Sequence, residues 1–111
     1  MNEAAHAERF AGIERLYGAG ALARLAQTHV GVIGVGGVGS WAAEALARSG
    51  VGRLSLIDGD EVCLSNTNRQ LHALDGAYGK PKVGVMAARL RAIDPALRLE
   101  ASERFLTPAT L

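Results

Sequence analysis

VGVIGVGGVGS, residues 30–40, reads as an apolar strand running into a glycine loop and then a helix. Gly34, Gly36 and Gly39 stand at G-x-G-x-x-G spacing. Such a turn lets backbone approach a phosphate closely and aims a helix N-terminus at negative charge. Many nucleotide sites share it, so the spacing alone does not separate them. Three later segments do: Leu56-Ile57-Asp58 ends a second strand on an acid, Ser65-Asn66-Thr67-Asn68-Arg69-Gln70 is a polar turn, and Gly79-Lys80-Pro81-Lys82 leads into another helix. A dehydrogenase needs the loop and the acid but has no use for the last two.

Outward from the loop, the pattern is that of an α/β protein. A first strand is expected at 29–33, with Val30, Val32 and Ile33 buried, and a helix at 38–49 with Gly50 as its C-cap. A second strand follows at 54–57 and a helical turn near 64–68. Val83, Met86, Ala87, Leu90 and Ile93 give an apolar stripe to a helix over 82–93, which Asp94-Pro95 stops. A third strand is expected at 97–101, and Thr107-Pro108 reads as the N-cap and first residue of a further helix. This order predicts the N-terminal half of a Rossmann-like, doubly wound parallel sheet with helices on both faces. Ahead of it, residues 3–26 read as helical, with Phe10, Ile13, Leu16 and Tyr17 on one face and Gly18 and Gly20 setting off a second short helix at 21–27. Residues 1–28 are thus expected to be a helical extension and 29–111 a nucleotide-binding portion. The chain reads as the N-terminal part of a longer protein.

Composition sets bounds. The 111 residues suit one small domain, and 49% hydrophobic with 21% charged residues suits a globular one. Aromatics are only 5%, so the core must rest on Val, Leu, Ile and Ala. A net charge of +1 argues neither for nor against nucleic acid. The single cysteine, Cys63, excludes an intrachain disulfide and an all-cysteine zinc site within the chain. The start, MNEAAHAERF, is polar and acidic, unlike a secretory signal. No apolar run approaches the roughly 18 residues of a membrane span. No membrane association and a cytoplasmic location are expected.

The polar residues have distinct readings. Asp58 lies 24 residues after Gly34, which suits a carboxylate accepting hydrogen bonds from ribose hydroxyls. Asp58-Gly59-Asp60 is also turn chemistry, and Asp60 reads either way. Arg69 offers a planar fork of donors for phosphate oxygens, and Asn66 suits a phosphate or a ribose edge. Lys80 and Lys82 sit at a helix N-terminus, where cations oppose the macrodipole unless an anion is present. Lys82 is the candidate for neutralising α- and β-phosphates as pyrophosphate leaves. Asp58, Arg69 and Lys82 together point to nucleotidyl transfer rather than hydride transfer. No G-x-x-x-x-G-K-[ST] loop is present, so phosphates are not held in the P-loop manner. His29 reads as structural, His72 as a packing residue or, so close after Arg69-Gln70, as a support to the site, Cys63 as a buried inert thiol without a base, and Trp41 as a core or subunit contact. Arg89, Arg91, Arg98 and Arg104 read as phosphate contacts for a nucleic acid or, in preference, as solvated faces.

Taken together, these motifs resemble the adenylating enzymes related to ubiquitin activation, the ThiF/MoeB/HesA group, over about residues 9–108. The resemblance implies that Gly34, Gly36, Gly37, Gly39, Asp58, Asn66, Arg69, Gln70 and Lys82 bind ATP with Mg2+. Asn66, Arg69 and Lys82 would serve formation of an acyl-adenylate. Arg15-Leu16-Tyr17-Gly18, GGVGSWAAEALARSG (36–50), Asp60 to Cys63 and TNRQLHAL (67–74) are most similar to a tRNA-modifying branch of the group. That branch implies a tRNA carrying threonylcarbamoyladenosine as partner. Its carboxylate is adenylated and then closed into a ring by its own carbamoyl group, with no thioester cysteine. A homodimer and sulfur-transfer partner proteins are also implied. No metal ligand is assigned within the chain: the group's magnesium-linked Asp, and the zinc cysteines of many members, would fall beyond residue 111. The alternative is an adenylyltransferase that activates the C-terminal glycine of a ubiquitin-like sulfur carrier. Those enzymes carry an arginine, reaching into the partner subunit, where Gly12 stands; Arg9 or Arg15 takes that role, or neither does.

Overall fold

The computed structural model describes residues 3–109. The elements are α1 (Glu3–Arg9), α2 (Ala11–Tyr17), α3 (Ala21–Ala26), β1 (His29–Ile33), α4 (Gly39–Arg48), β2 (Arg53–Ile57), a 3-10 turn (Leu64–Asn66), α5 (Lys82–Ile93) and β3 (Arg98–Ser102). The three strands form one parallel sheet in the order β1-β2-β3. The α/β class and the parallel sheet are those the sequence predicts.

Register aligns Val30, Leu54 and Leu99 in one row across the sheet, and Val32, Leu56 and Ala101 in another. This face packs under α4 and α5, which also touch each other. Ala43 and Ala47 of α4 and Val83, Met86 and Leu90 of α5 meet Leu54 and Leu56 in one core, with Val30 and Leu99 at its margin. Alanines on the inner face of α4 let the helix lie close to the strands.

The opposite face carries His29, Gly31 and Ile33, then Arg53, Ser55 and Ile57, then Arg98, Glu100 and Ser102, none of them buried. His29 Nε2 lies 2.7 Å from Ser55 Oγ, and Arg53 pairs with Glu100. The expectation of helices on both faces is thus met on one face by the described residues. Ile33 was expected in the core and is 62% exposed. Strand alternation explains this: Val32 points to the core, so Ile33 cannot.

The N-terminal helices close the end of the layer where α4 and α5 finish. Phe10, expected within a continuous helix, breaks α1 from α2, and its ring is buried. It packs with Leu22 over Gly50, the predicted C-cap of α4. Arg9 Nη1 donates to the Ile93 carbonyl at the end of α5 (3.0 Å). The break also spoils the expected apolar face, leaving Leu16 and Tyr17 exposed. Glu14 caps α3 by accepting the Gly20 and Leu22 N–H groups at 3.2 and 2.7 Å. Residues 108–109 form a turn where a helix was expected to begin; residues 110 and 111 lie outside the described residues. Among the described residues no helix is long and apolar enough to cross a membrane.

Candidate nucleotide site

Parallel strands end at one edge of the sheet, and there the segments after β1, β2 and β3 converge. The ladder runs one step past the strands: Gly34 N–H donates to the Ile57 carbonyl (2.8 Å) and Asp58 N–H to the Ser102 carbonyl (3.2 Å). Gly34, at φ +85°, turns the chain out of the sheet. At Gly39 a Cβ would lie 1.7 Å from the Gly34 carbonyl oxygen, so only glycine lets the first turn of α4 rest on the strand end. A cleft of about 300 Å³ opens between Ile33, Gly34, Ile57, Asp58 and the 104–106 segment. Phe105 lies against Gly59 at its wall.

Asp58 is buried at the foot of this cleft. Its Oδ2 accepts the Val35 N–H (2.8 Å) and its Oδ1 accepts the Asp60 N–H (2.9 Å). The predicted ribose ligand therefore also fixes the glycine loop. Each oxygen retains a lone pair for a further donor. Asp60 has an exposed side chain beside Lys82, with Oδ2 4.0 Å from Nζ.

Over the glycine loop, outside the lining of that cleft, lies the segment from Cys63 to His72. Asn66 is buried and turned inward: its Oδ1 accepts the Cys63 N–H (2.8 Å), closing the 3-10 turn. Arg69 Nη1 donates to the Ser65 carbonyl (3.1 Å) and Asn68 Oδ1 (2.9 Å). Its aliphatic stem borders Gly37, whose absent Cβ would lie 3.5 Å from it, and Gln70 borders Gly36 in the same way at 3.6 Å. Two bonds from α4 hold this segment over the loop: Trp41 Nε1 to the Arg69 carbonyl (2.9 Å), and Ser40 Oγ accepting the Leu71 N–H (3.2 Å). Sequence reasoning missed Ser40 altogether. It also placed Trp41 in the core or at a subunit contact, whereas the indole is half exposed and serves as a donor. Cys63, expected to be buried, is exposed, because the 3-10 turn needs its backbone inside and leaves the thiol outside.

Lys82 reaches the site through an irregular hairpin. Val62 N–H donates to the Lys80 carbonyl, Gly79 N–H to the Val62 carbonyl and Lys82 N–H to the Asp60 carbonyl. This sets the first residue of α5 beside Asp60. Lys82 is 6% exposed, while Lys80 lies outside in solvent. A buried ammonium at a helix N-terminus, with its carboxylate partner 4.0 Å away, is a cation arranged for an anion.

His72 is fully buried, and its Nε2 lies 2.7 Å from the Val35 carbonyl oxygen. Burial and the Lys82 charge push its pKa below the ordinary 6.5, against the opposing pull of the Val35 bond and Asp58. Elsewhere, Glu44 is held below the ordinary carboxylate range by its bond to Arg89, with Arg48 assisting. Arg89 is thus engaged rather than free in solvent; Arg91, Arg98 and Arg104 are exposed. Arg9 is held at α5 of its own chain, at the end of the layer away from the glycine loop.

The cleft suits a nucleotide polyphosphate on its own geometry. The N–H groups of Gly36, Gly37 and Val38 donate to no acceptor among the described residues. Gln70 Oε1 is a buried acceptor with no partner. Gly36 and Gly37 present bare backbone, and Arg69 and Lys82 supply positive charge beside it. A resident metal finds no comparable support: among the described residues no group of three or more His, Cys, Asp or Glu could hold one.

Comparison with known proteins gives the family. The family model described as the ThiF family matches residues 9–111. The chain is 54% identical over 101 residues to the tRNA threonylcarbamoyladenosine dehydratase of Escherichia coli (strain K12), covering 91% of this chain and 38% of that protein. It is 50% identical over 102 residues to the enzyme of the same name from Bacillus subtilis (strain 168), covering 92% of this chain and 40% of that protein. The crystal structure of the E. coli enzyme, TcdA, in complex with ATP superposes with a TM-score of 0.93 at 52% identity, covering 97% of this chain and 44% of that one. The chain spans about two-fifths of the length of these curated relatives.

Proposed function

The chain belongs to the ThiF family, and from that premise we propose that the intact protein is an ATP-dependent, AMP-forming enzyme acting on threonylcarbamoyladenosine in tRNA. The observation that carries the reading is the convergence of unpaired glycine-loop N–H groups, the Arg69 fork and buried Lys82 at the strand ends. Identity of 50–54% to tRNA threonylcarbamoyladenosine dehydratases supports the choice of substrate.

ATP bound in the cleft supplies an AMP group to the substrate carboxylate, with pyrophosphate as leaving group. The chain's residues do the rest of the work before ring closure. Asp58 accepts the ribose hydroxyls with its spare lone pairs. Gly34, Gly36, Gly37 and Gly39 form the loop that approaches the phosphates, and Gln70 borders it. Arg69 and Lys82 neutralise charge that builds on the leaving pyrophosphate. Asn66 holds the turn that carries Arg69 by accepting the Cys63 N–H. Once the carboxylate is activated, the carbamoyl group of the same side chain attacks its carbonyl carbon and closes the ring as the bond to AMP breaks, releasing AMP and a proton, a step favoured by high effective molarity. No cysteine takes part in this scheme, and no step is routed through Mg2+, whose place would be with the phosphates.

The reading carries further parts. Residues 1–28 act as a helical extension and 29–111 as the ATP-binding portion. The protein is a cytoplasmic homodimer, for which exposed Leu16 and Tyr17 on the extension are candidate contacts.

The test is mass spectrometry of nucleosides from threonylcarbamoyladenosine-containing tRNA incubated with the intact protein and ATP. The reading predicts ATP-dependent loss of one water from that nucleoside. An unchanged nucleoside, with AMP transferred instead to the Gly-Gly terminus of an added ubiquitin-like carrier, would replace it with the sulfur-carrier alternative.

A further inference from the structure

Three successive peptide planes of the glycine loop are each held by a different side chain. Asp58 Oδ2 takes the Val35 N–H (2.8 Å), His72 Nε2 meets the Val35 carbonyl oxygen (2.7 Å), and Ser40 Oγ donates to the Gly36 carbonyl oxygen (2.5 Å). All peptide bonds of the described residues are trans, so each plane points its C=O and N–H in opposite directions. Turning the Val35 carbonyl toward His72 turns the Gly36 N–H away from it. Turning the Gly36 carbonyl toward Ser40 does the same for the Gly37 N–H. These are N–H groups left without acceptors among the described residues.

We propose that His72 is a positioning residue for the nucleotide: its Nε2–H holds the Val35 carbonyl so that the Gly36 N–H stays aimed at bound phosphate. The proposal rests on the reading of the cleft as an ATP site.

The chemistry of the ring supports it. A carbonyl only accepts, so the ring proton facing Val35 is on Nε2. Burial, with the Lys82 charge nearby on α5, disfavours a second proton, although Asp58 at the end of β2 pulls the other way. Nδ1 is then a bare acceptor, buried with no partner. An unpaired buried acceptor is unfavourable, and a leucine or phenylalanine would fill the site without it. What the ring offers against that cost is its Nε2 end, a local conflict of the kind found where structure serves a site.

The experiment compares wild type, His72→Phe and His72→Gln in the intact protein, by calorimetric titration with ATP and with adenosine. His72→Gln returns an amide donor near the Nε2 position; His72→Phe fills the space without one. His72→Phe should weaken ATP about tenfold and adenosine less than about twofold, because only ATP meets the loop N–H groups. His72→Gln should recover most of the ATP affinity. Equal weakening of ATP and adenosine, unchanged ATP affinity in a folded His72→Phe, or no recovery in His72→Gln would each overturn the proposal. Nitrogen-15 NMR of the wild-type histidines gives a check free of folding defects: the Nε2–H tautomer is expected at His72, and an Nδ1–H tautomer overturns the proposal. Wild type that binds no ATP overturns the ATP reading itself, a result visible before any variant is made.

Discussion

Trp41 Nε1 donates to the Arg69 carbonyl oxygen at 2.9 Å, tying the first turn of α4 to the turn that carries the guanidinium. The glycine loop and the turn that carries Arg69 are therefore one unit. Trp41→Phe keeps the ring and removes the donor. It should cost about 1 kcal/mol or less in stability and weaken ATP by about threefold to fivefold through a loosened Arg69. Urea denaturation and ATP titration of the same variant check both numbers.

Gly39→Ala tests the close contact of helix and strand. The added methyl would lie 1.7 Å from the Gly34 carbonyl oxygen, a backbone atom that cannot swing aside. The start of α4 must move, at a cost of about 1–3 kcal/mol. ATP affinity should fall by more than about tenfold, measured by titration below the melting temperature of the variant.

Asp58 accepts two backbone N–H groups while buried, so its loss should be felt without any nucleotide. Asp58→Ala should lower stability by about 3 kcal/mol, since bonds to a charged acceptor are worth about 1.5–3 kcal/mol each. Asp58→Asn keeps one acceptor oxygen and should lose roughly half as much. Urea midpoints of the three proteins give the comparison.

His72 makes stability depend on pH in a defined direction. Its folded pKa lies below 6.5, so in mild acid the unfolded chain binds a proton that the folded chain refuses. Stability therefore falls as pH drops through about 6.5 toward the folded pKa, and levels off below it. Glu44 acts separately: its folded pKa is also lowered, so its contribution is present above about 4.5 and is lost as pH falls further. Denaturation at a series of pH values between 7 and 5 should show a slope that His72→Gln reduces. A slope equal in both proteins would assign the dependence to other groups.

Much of this arrangement was legible in the sequence, because it rests on short-range rules. Gly34 and Gly39 appear as glycines where a turn and a backbone contact demand them, and the stripe from Val83 to Ile93 fixes α5 at Lys82–Ile93. Asp58, Asn66, Arg69, Gln70 and Lys82 were each marked as site candidates, and the structure brings them to one edge. What was not legible depends on contacts across the fold. Ser40 and His72 look like an ordinary helix serine and a packing histidine until tertiary structure sets them against Gly36 and Val35. Ile33 sits within a run of apolar residues, and only the one-sided cover of the sheet decides that it is exposed. Phe10 satisfies a helical stripe locally, but its burial against Gly50 wins and breaks the helix there.

The central claim is that the cleft drives AMP transfer to a tRNA substrate with Lys82 on the phosphates. It is tested most directly by ATP-dependent pyrophosphate release from the intact protein, with threonylcarbamoyladenosine-containing tRNA against unmodified tRNA. The account predicts release that requires the modified tRNA and falls at least about a hundredfold in Lys82→Ala, the scale of removing one stabilising donor. Release that ignores the tRNA modification, or that survives unchanged in Lys82→Ala, would contradict it.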